Sequence, residues 1–331
     1  MNISDMVVQA SDKCHEIISS VSKIIVGKDD ELQFVLMSLI ADGHLLLEDV
    51  PGVAKTLTAQ CFAQALGLGF KRIQFVPDLL PGDITGSTIY DTKHADFKFK
   101  PGPVFANLIL ADEVNRGTPK TQSALLEAMQ ERQVTVEGQS YVLDPPFLVI
   151  ATQNPLEFEG TYPLPEAQID RFIARLRLGY PSPEAEREIL SRRQDRRTDR
   201  VVAEQIIEKP EFLQIQNAVE HVYVSPEIQD YMVSITTETR KDRRVQLGAS
   251  PRGSLALFKL SRARALMQGR DFVVPDDVKA IAVGALAHRI LLRPELWAER
   301  ITGESIVEDA LERVPVPAVD SSQAHAASSA E

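Results

Sequence analysis

Two cysteines, Cys14 and Cys61, in 331 residues rule out a disulfide-built fold, and they show no paired spacing for a metal. Cys61 shares an apolar face with Leu57, Phe62 and Ala65, which reads as packing. The six histidines are scattered without ligand spacing, so the Cys14-His15-Glu16 run reads as chance rather than a metal site. No stretch approaches the ~18 uninterrupted apolar residues of a membrane span. The N-terminus, "MNISDMVVQASDKC", lacks a basic segment followed by a long apolar run, so a signal peptide is not expected. With so little cysteine, a reducing cytoplasm is the expected location. Positive charge is also short. A formal net charge of -11 argues against a general grip on nucleic acid or anionic lipid.

What remains is the composition of a globular protein, 44% hydrophobic and 25% charged, with a length that suggests roughly two domains. Over the first 180 residues, short apolar runs alternate with helical patterns. The runs are "HLLLE" (44–48), "RIQFV" (72–76), "NLILADE" (107–113), "FLVIATQ" (147–153) and "ARLRLGY" (174–180). Nearly continuous apolar runs suit strands buried on both faces of a parallel sheet, and the alternation predicts a three-layer α/β domain. Thr118 as cap and Pro119 at the first helical position open one helix, and Gly67 closes another. Residues 83–105 and 133–143 interrupt the alternation and read as β-hairpin inserts, the second turning at Glu137-Gly138. After "GYPSPEAE" the pattern turns to helices, and Ser182-Pro183, Ser225-Pro226 and Ser250-Pro251 each mark a helix start. The expected organisation is an α/β core over 1–181, a helical lid over 182–314 and a disordered tail over 315–331, with no internal repeat.

Phosphate binding needs inward backbone N–H groups, a helix N-terminus, a cation and a hydroxyl for magnesium. The segment Asp49, Val50, Pro51, Gly52, Val53, Ala54, Lys55, Thr56 and Leu57 can supply all of these. It departs from the G-x-x-x-x-G-K-[ST] pattern, because Asp49 and Ala54 stand where glycines belong. Read alone, it is either a phosphate cradle or a coincidental Lys-Thr after a strand. Gly52 is the residue expected to take the special backbone conformation. Ala54 is expected in right-handed geometry, and Asp49 at the loop's base, since its carboxylate would repel phosphates. Asp112 and Glu113 end a buried strand, where ligands sit in open α/β sheets. Asp112 could hold magnesium through water and Glu113 could orient and deprotonate an attacking water, or the pair is a solvated strand end. Asn154 ends another buried strand, either to touch a γ-phosphate or as a turn former before Pro155.

"LEDVPGVAKT", "LILADEVNR", "IATQNP", "EAQIDRF" and "GASPRG" follow one another over residues 47–253. That order resembles the MoxR family of AAA+ ATPases, across nearly the whole chain except the tail. The resemblance implies an AAA+ core with a helical lid and Mg-ATP as substrate, with ATP, ADP and Mg2+ as ligands. Gly52, Lys55 and Thr56 match Walker A; Asp112 and Glu113 match Walker B; Asn154 matches sensor 1. Arg171 matches the arginine finger, which completes a neighbour's site. Arg252 matches sensor 2, acting in cis or in trans, and Arg116 is a further candidate facing a neighbour. Val26 and Gly27 in "IIVGKDDEL" match the segment beside the adenine. The two hairpins match the helix-2 insert and the pre-sensor-1 hairpin. By resemblance the working form is a homo-oligomeric ring, a hexamer, with a von Willebrand A-domain partner and a protein client. Three rival readings are a magnesium-chelatase-like motor, a nucleotide-gated binding module with little turnover, and a nucleic-acid translocase. The acidic balance disfavours the last, although "SRRQDRR" (191–197), which reads most simply as a solvated helix face, is locally basic.

Overall fold

The computed structural model describes residues 2–155, 160–295 and 301–317; most of the expected tail, 318–331, lies outside them. Five strands form one sheet: β1 (Leu45–Glu48), β2 (Phe70–Gln74), β5 (Leu108–Asp112), β8 (Leu148–Gln153) and β9 (Ala174–Leu176). Their order is β2-β5-β8-β1-β9, and every neighbouring pair is parallel. Side chains alternate between two apolar layers. Leu45, Leu47, Leu108, Leu110, Leu148 and Ile150 face one layer, while Leu46, Ile109, Ala111, Val149 and Ala151 face the other. This burial on both faces is why the runs read as continuous rather than alternating.

One face is covered by α1 (Ile3–Ser22), α2 (Asp29–Ile40) and α3 (Lys55–Ala65); the other by α4 (Pro81–Thr85) and α5 (Pro119–Glu131). Both expected hairpins are present: β3 (Gly86–Asp91) with β4 (Asp96–Pro101), and β6 (Gln133–Val136) with β7 (Gln139–Val142). Glu137 and Gly138 both take positive φ, 51° and 82°, as a tight two-residue turn requires. Phe99 of the first hairpin stacks on Tyr141 of the second at 4.0 Å, so the inserts brace one another.

Beyond the short α6 (Glu166–Ile169), the chain is largely helical: α7 (Pro183–Arg196), α8 (Lys209–Glu220), α9 (Pro226–Lys241), α10 (Pro251–Met267), α11 (Pro275–Leu286) and α12 (Gly303–Arg313). The serines of all three Ser-Pro pairs are N-caps, accepting from Ala185 N, Ile228 N and Arg252 N. The helices-only expectation needs one correction. β10 (Val245–Leu247) pairs antiparallel with β11 (Leu291–Leu292), strands too short to leave a periodic pattern.

The apolar layer on the α1 face is continuous from Leu45 and Phe62 to Phe212, Ile228 and Leu260, so core and helical region share one interior. α1 reaches across to α10, where the buried Ser11 hydroxyl donates to Met267 O at 3.0 Å. Cys14 and Cys61 are free and buried; burial pushes the Cys14 thiol up to about 12 and the Cys61 thiol to about 11, as packing residues. Among the described residues, no helix is long and apolar enough to cross a membrane.

Leu260 is fully buried in that shared interior. Leu260→Ala should lower unfolding free energy by about 2–5 kcal/mol, measured by urea denaturation.

Candidate active site

The parallel arrangement puts the carboxyl ends of β1, β5 and β8 along one edge. The loop after β1, Asp112-Glu113 after β5 and Asn154 after β8 therefore converge there without any long connection.

In the loop, Gly52 has φ 87°, and a methyl built there would meet nothing within 4 Å. The glycine is needed for its conformation and not for space. Ala54 departs from expectation. It takes the left-handed conformation, φ 61° and ψ 23°, rather than right-handed geometry. For a residue with a Cβ that costs roughly 1–2 kcal/mol. The chain must reverse hand to turn its amides inward before α3 begins, and that need overrides the side-chain preference. α3 starts at Lys55 with no side-chain cap, whereas Thr118 and the three Ser-Pro serines cap their helices. Its first amides are thus left to an anion, and a phosphate fits that demand.

Asp49 sits at the loop's base and is turned away from the cradle. Its carboxylate accepts from Gly179 N at 2.6 Å and from Val50 N at 2.9 Å. Lys55 Nζ donates to Asp49 O at 2.6 Å, folded back over the loop. Gly179 leads into the segment where Lys28 Nζ donates to Tyr180 O at 3.0 Å. Gly27 has φ 67°, and a methyl there would lie 2.7 Å from the Ala185 Cβ. Gly27 thus packs against α7 near the segment that holds Asp49, and Val26 beside it is buried.

Asp112 is mostly buried, and both of its oxygens are engaged. Oδ1 accepts from the Thr152 hydroxyl at 2.6 Å. Oδ2 accepts from Arg72 Nε at 2.9 Å and Nη2 at 2.6 Å, and lies 3.5 Å from Thr56 Oγ1. Glu113 follows in left-handed geometry, φ 56° and ψ 50°, its amide donating to Thr152 Oγ1 at 2.8 Å. That turn aims its carboxylate at Gln74, whose Nε2 donates to Oε2 at 2.7 Å, and at Arg116, whose Nη1 does so at 3.0 Å. Arg116 is therefore paired within its own chain. Asn154 is buried, and its carbonyl accepts from Asn115 Nδ2 at 3.4 Å. Thr56 and Asp112 offer the hard oxygen donors magnesium prefers. Among the described residues no cluster of three or more acidic, histidine or cysteine ligands exists.

Arg171 and Arg252 stand elsewhere. Arg171 lies three positions before Ala174, which pairs with Leu45 at the amino end of β1. Its Nη1 donates to Leu126 O at 2.9 Å, and its Nε is buried without a hydrogen-bond partner. Arg252 Nη1 lies 3.8 Å from Asp170 Oδ2, and Arg289 pairs with the same carboxylate. The cleft they line, about 270 Å3, also holds Asp42, His44, Arg132 and Lys259. From Gly43 to Asp49 the chain advances six residues, roughly 20 Å at 3.3 Å each. Both arginines thus stand towards the opposite end of β1 from the loop of their own chain.

The architecture matches known proteins over most of its length. The model for ATPases associated with various cellular activities (AAA) matches residues 44–174, and the AAA lid domain matches 237–310. Chaperone MoxR1 of Mycobacterium tuberculosis is 44% identical over 92% of this chain and 82% of its own. The chain belongs to the MoxR family of AAA+ ATPases. The Bacillus subtilis protein YeaC is 49% identical over 91% of this chain and 93% of its own. A crystal structure of a candidate ATPase from Cytophaga hutchinsonii superposes with a TM-score of 0.88 at 41% identity, covering 95% of this chain and 98% of that one.

Within this MoxR-family site, Arg72 and Gln74 lie outside the motifs, while Thr152 and Asp170 lie inside two of them with no role assigned. Arg72 and Gln74 alternate on edge strand β2, so the period-2 pattern could have shown that they share a face. Asp170 precedes Arg171, but its role as partner of Arg252 and Arg289 depends on contacts 80 or more positions apart in sequence.

His44, at the amino end of β1, is fully buried. Nε2 donates to Met129 O at 3.1 Å, and Nδ1 accepts from Val149 N at 3.1 Å. Burial, with Arg132 nearby, lowers its pKa to about 3. The folded imidazole stays neutral while the unfolded one protonates near 6.5, so its contribution is complete above pH 6.5 and is lost as pH falls towards 3. The loss amounts to about 1.4 kcal/mol per pH unit. Urea denaturation between pH 7 and 4 should show a shallower decline in His44→Gln than in wild type.

Proposed function

We propose that this MoxR-family ATPase hydrolyses Mg-ATP in a homo-oligomeric ring, a hexamer, whose active sites lie between subunits. The observation that carries this reading is the separation of two incomplete half-sites by the length of the sheet. One edge holds the phosphate loop, Asp112, Glu113 and Asn154; the other holds Arg171 and Arg252, at the opposite end of β1 from their own loop. Docking the amino edge of one subunit against the carboxyl edge of the next would join them, with Arg252 acting in trans. A head-to-tail contact of this kind closes into a ring when its rotation is a whole fraction of a turn.

The amides at the start of α3 and Lys55 would bind the β- and γ-phosphates, with Val26 and Gly27 bordering the base. Magnesium held by Thr56 and Asp112 would offset charge on the phosphate oxygens. Glu113 would accept a proton from the attacking water, once its bonds to Gln74 and Arg116 yield that oxygen. Asn154 would orient the water or the γ-phosphate. Arg171 of the neighbour would neutralise charge developing on the transferred group, an effect worth roughly three to five orders of magnitude in related systems. Arginine suits the role, since its fork matches phosphate oxygens and stays charged.

The use of the energy is read as remodelling or maturation of partner proteins in the cytoplasm, since one relative is described as a chaperone. A von Willebrand A-domain partner and a separate protein client belong to the same reading. Net charge -11 supports proteins over nucleic acid as partners.

ATPase rate per chain should rise with protein concentration, and it should collapse in Lys55→Ala, Glu113→Gln and Arg171→Ala. Mixing Lys55→Ala with Arg171→Ala should restore part of the rate, because some interfaces then hold one intact half from each chain. A mixture as inactive as its components would sink the shared-site reading, and a wild type without magnesium-dependent turnover would sink the motor itself.

A further inference from the structure

The segment that carries Arg171 is gripped by a residue outside every motif. Arg171 follows a single helical turn, α6, too short to hold a side chain in place by itself. Arg289, just after α11, closes round that segment from the helical region. Its Nη1 donates to Asp170 O at 2.6 Å, and its Nη2 to Phe172 O at 2.6 Å and Ile173 O at 3.4 Å. Those carbonyls stand on both sides of Arg171 in the chain. Nε donates to Ala285 O at 2.8 Å, which ties the guanidinium to α11. The same Nη1 also binds the side chain of Asp170, at Oδ1.

One carboxylate thus serves Arg289, Ser250 and Arg252, with unequal strength. The Arg289 side chain is 2% exposed, and burial lowers its pKa. A guanidinium so buried needs a fixed anion, and Asp170 supplies it. The Ser250 hydroxyl lies 3.0 Å from both Asp170 oxygens and accepts from Arg252 N at 3.1 Å, so the start of α10 is fastened to the same carboxylate. Arg252 Nη1, 3.8 Å from Oδ2, is past hydrogen-bond range, and its side chain is 46% exposed. A loose, half-exposed pair of this kind is weak. Asp170 therefore aims Arg252 without capturing it.

We infer that Asp170 is a positioning residue: clamped by Arg289, it holds Arg171 and Arg252 as one unit and presents both to the phosphates of the adjoining subunit. The inference rests on the shared-site reading above. Asp170 touches no nucleotide and acts through the two arginines. Arg171 comes from the core segment before β9 and Arg252 from α10 of the helical region. Without the link, the two regions would deliver their arginines separately, and a misplacement of about 1 Å can cost about a hundredfold in rate.

The test uses the full chain with Asp170→Asn, and with Asp170→Asn combined with Arg289→Met. The double variant removes the buried cation as well, so no unpaired charge is left to unfold the chain. Both should lose about a hundredfold in kcat, the scale of a misplaced catalytic group. Their ADP affinity should change by less than about twofold, because the displaced arginines act on a neighbour's transition state and not on their own loop. Mixing separates this role from a structural defect. Mixed with Lys55→Ala, each variant should regain rate above the mean of the two components, since one chain supplies an intact amino edge and the other an intact phosphate loop. Mixed with Arg171→Ala, neither should regain any, because both chains then lack a working amino edge. Rescue by Arg171→Ala, rescue by neither partner, or an unimpaired kcat would overturn the proposal. If Lys55→Ala and Arg171→Ala fail to rescue each other, the shared-site reading falls and this inference with it. If they do rescue each other and the Asp170 variants behave otherwise, only this inference falls.

Discussion

The parallel pairing of β1 between β8 and β9 is the constraint on which the rest depends. It fixes a direction: every strand of the sheet delivers its carboxyl end to one edge and its amino end to the other. The loop after β1 inherits the first edge, with Asp112, Glu113 and Asn154 alongside. The segment before β9 inherits the second, and brings Asp170 and Arg171 beside Asp42 and Gly43. His44 reinforces this geometry from inside, tying the start of β1 to Met129 of α5 and to Val149 of β8. A sheet buried on both faces cannot slip by one residue without exchanging its two apolar layers, so the separation of the edges is rigid.

At the carboxyl edge, the backbone carries the strain and the side chains carry the charge. Gly52, Ala54 and Glu113 all adopt positive φ within the site. Two of the three are not glycine, which concentrates strained backbone where the phosphates and the attacking water are expected. Around them, both oxygens of Asp112 and Oε2 of Glu113 are engaged by neutral and cationic donors from β2, β8 and the turn after β5. Ligand binding here is an exchange of partners rather than the filling of an empty polar cavity. A buried carboxylate stays ionised cheaply only in company.

At the amino edge the balance reverses. Arg132, Arg171, Arg252, Lys259 and Arg289 face two carboxylates, Asp42 and Asp170, across one cleft. Asp170 organises three of the surrounding groups, accepting from Ser250 and pairing with Arg252 and Arg289. The excess of cationic groups in a chain of net charge -11 makes this cleft a local exception to the surface, and an anion from outside would relieve it.

The sequence alone determined the strands of the main sheet, the hairpins and the capped helix starts, because burial on two faces, turn chemistry and Ser-Pro capping are local signals. It also determined the set of chemically capable residues, since Lys55, Thr56, Asp112, Glu113, Asn154 and Arg171 stand in motifs of fixed spacing. Ala54 was misjudged because propensity favours right-handed backbone, and only the closure of the loop on α3 shows that a left-handed residue is required there. Arg72 and Asp170 could not be assigned from spacing, because their partners lie 40 and 80 or more positions away. The tertiary structure alone decided which groups share an edge. That depends on strand order and direction, which follow from packing distant segments and leave no mark in any short stretch of sequence.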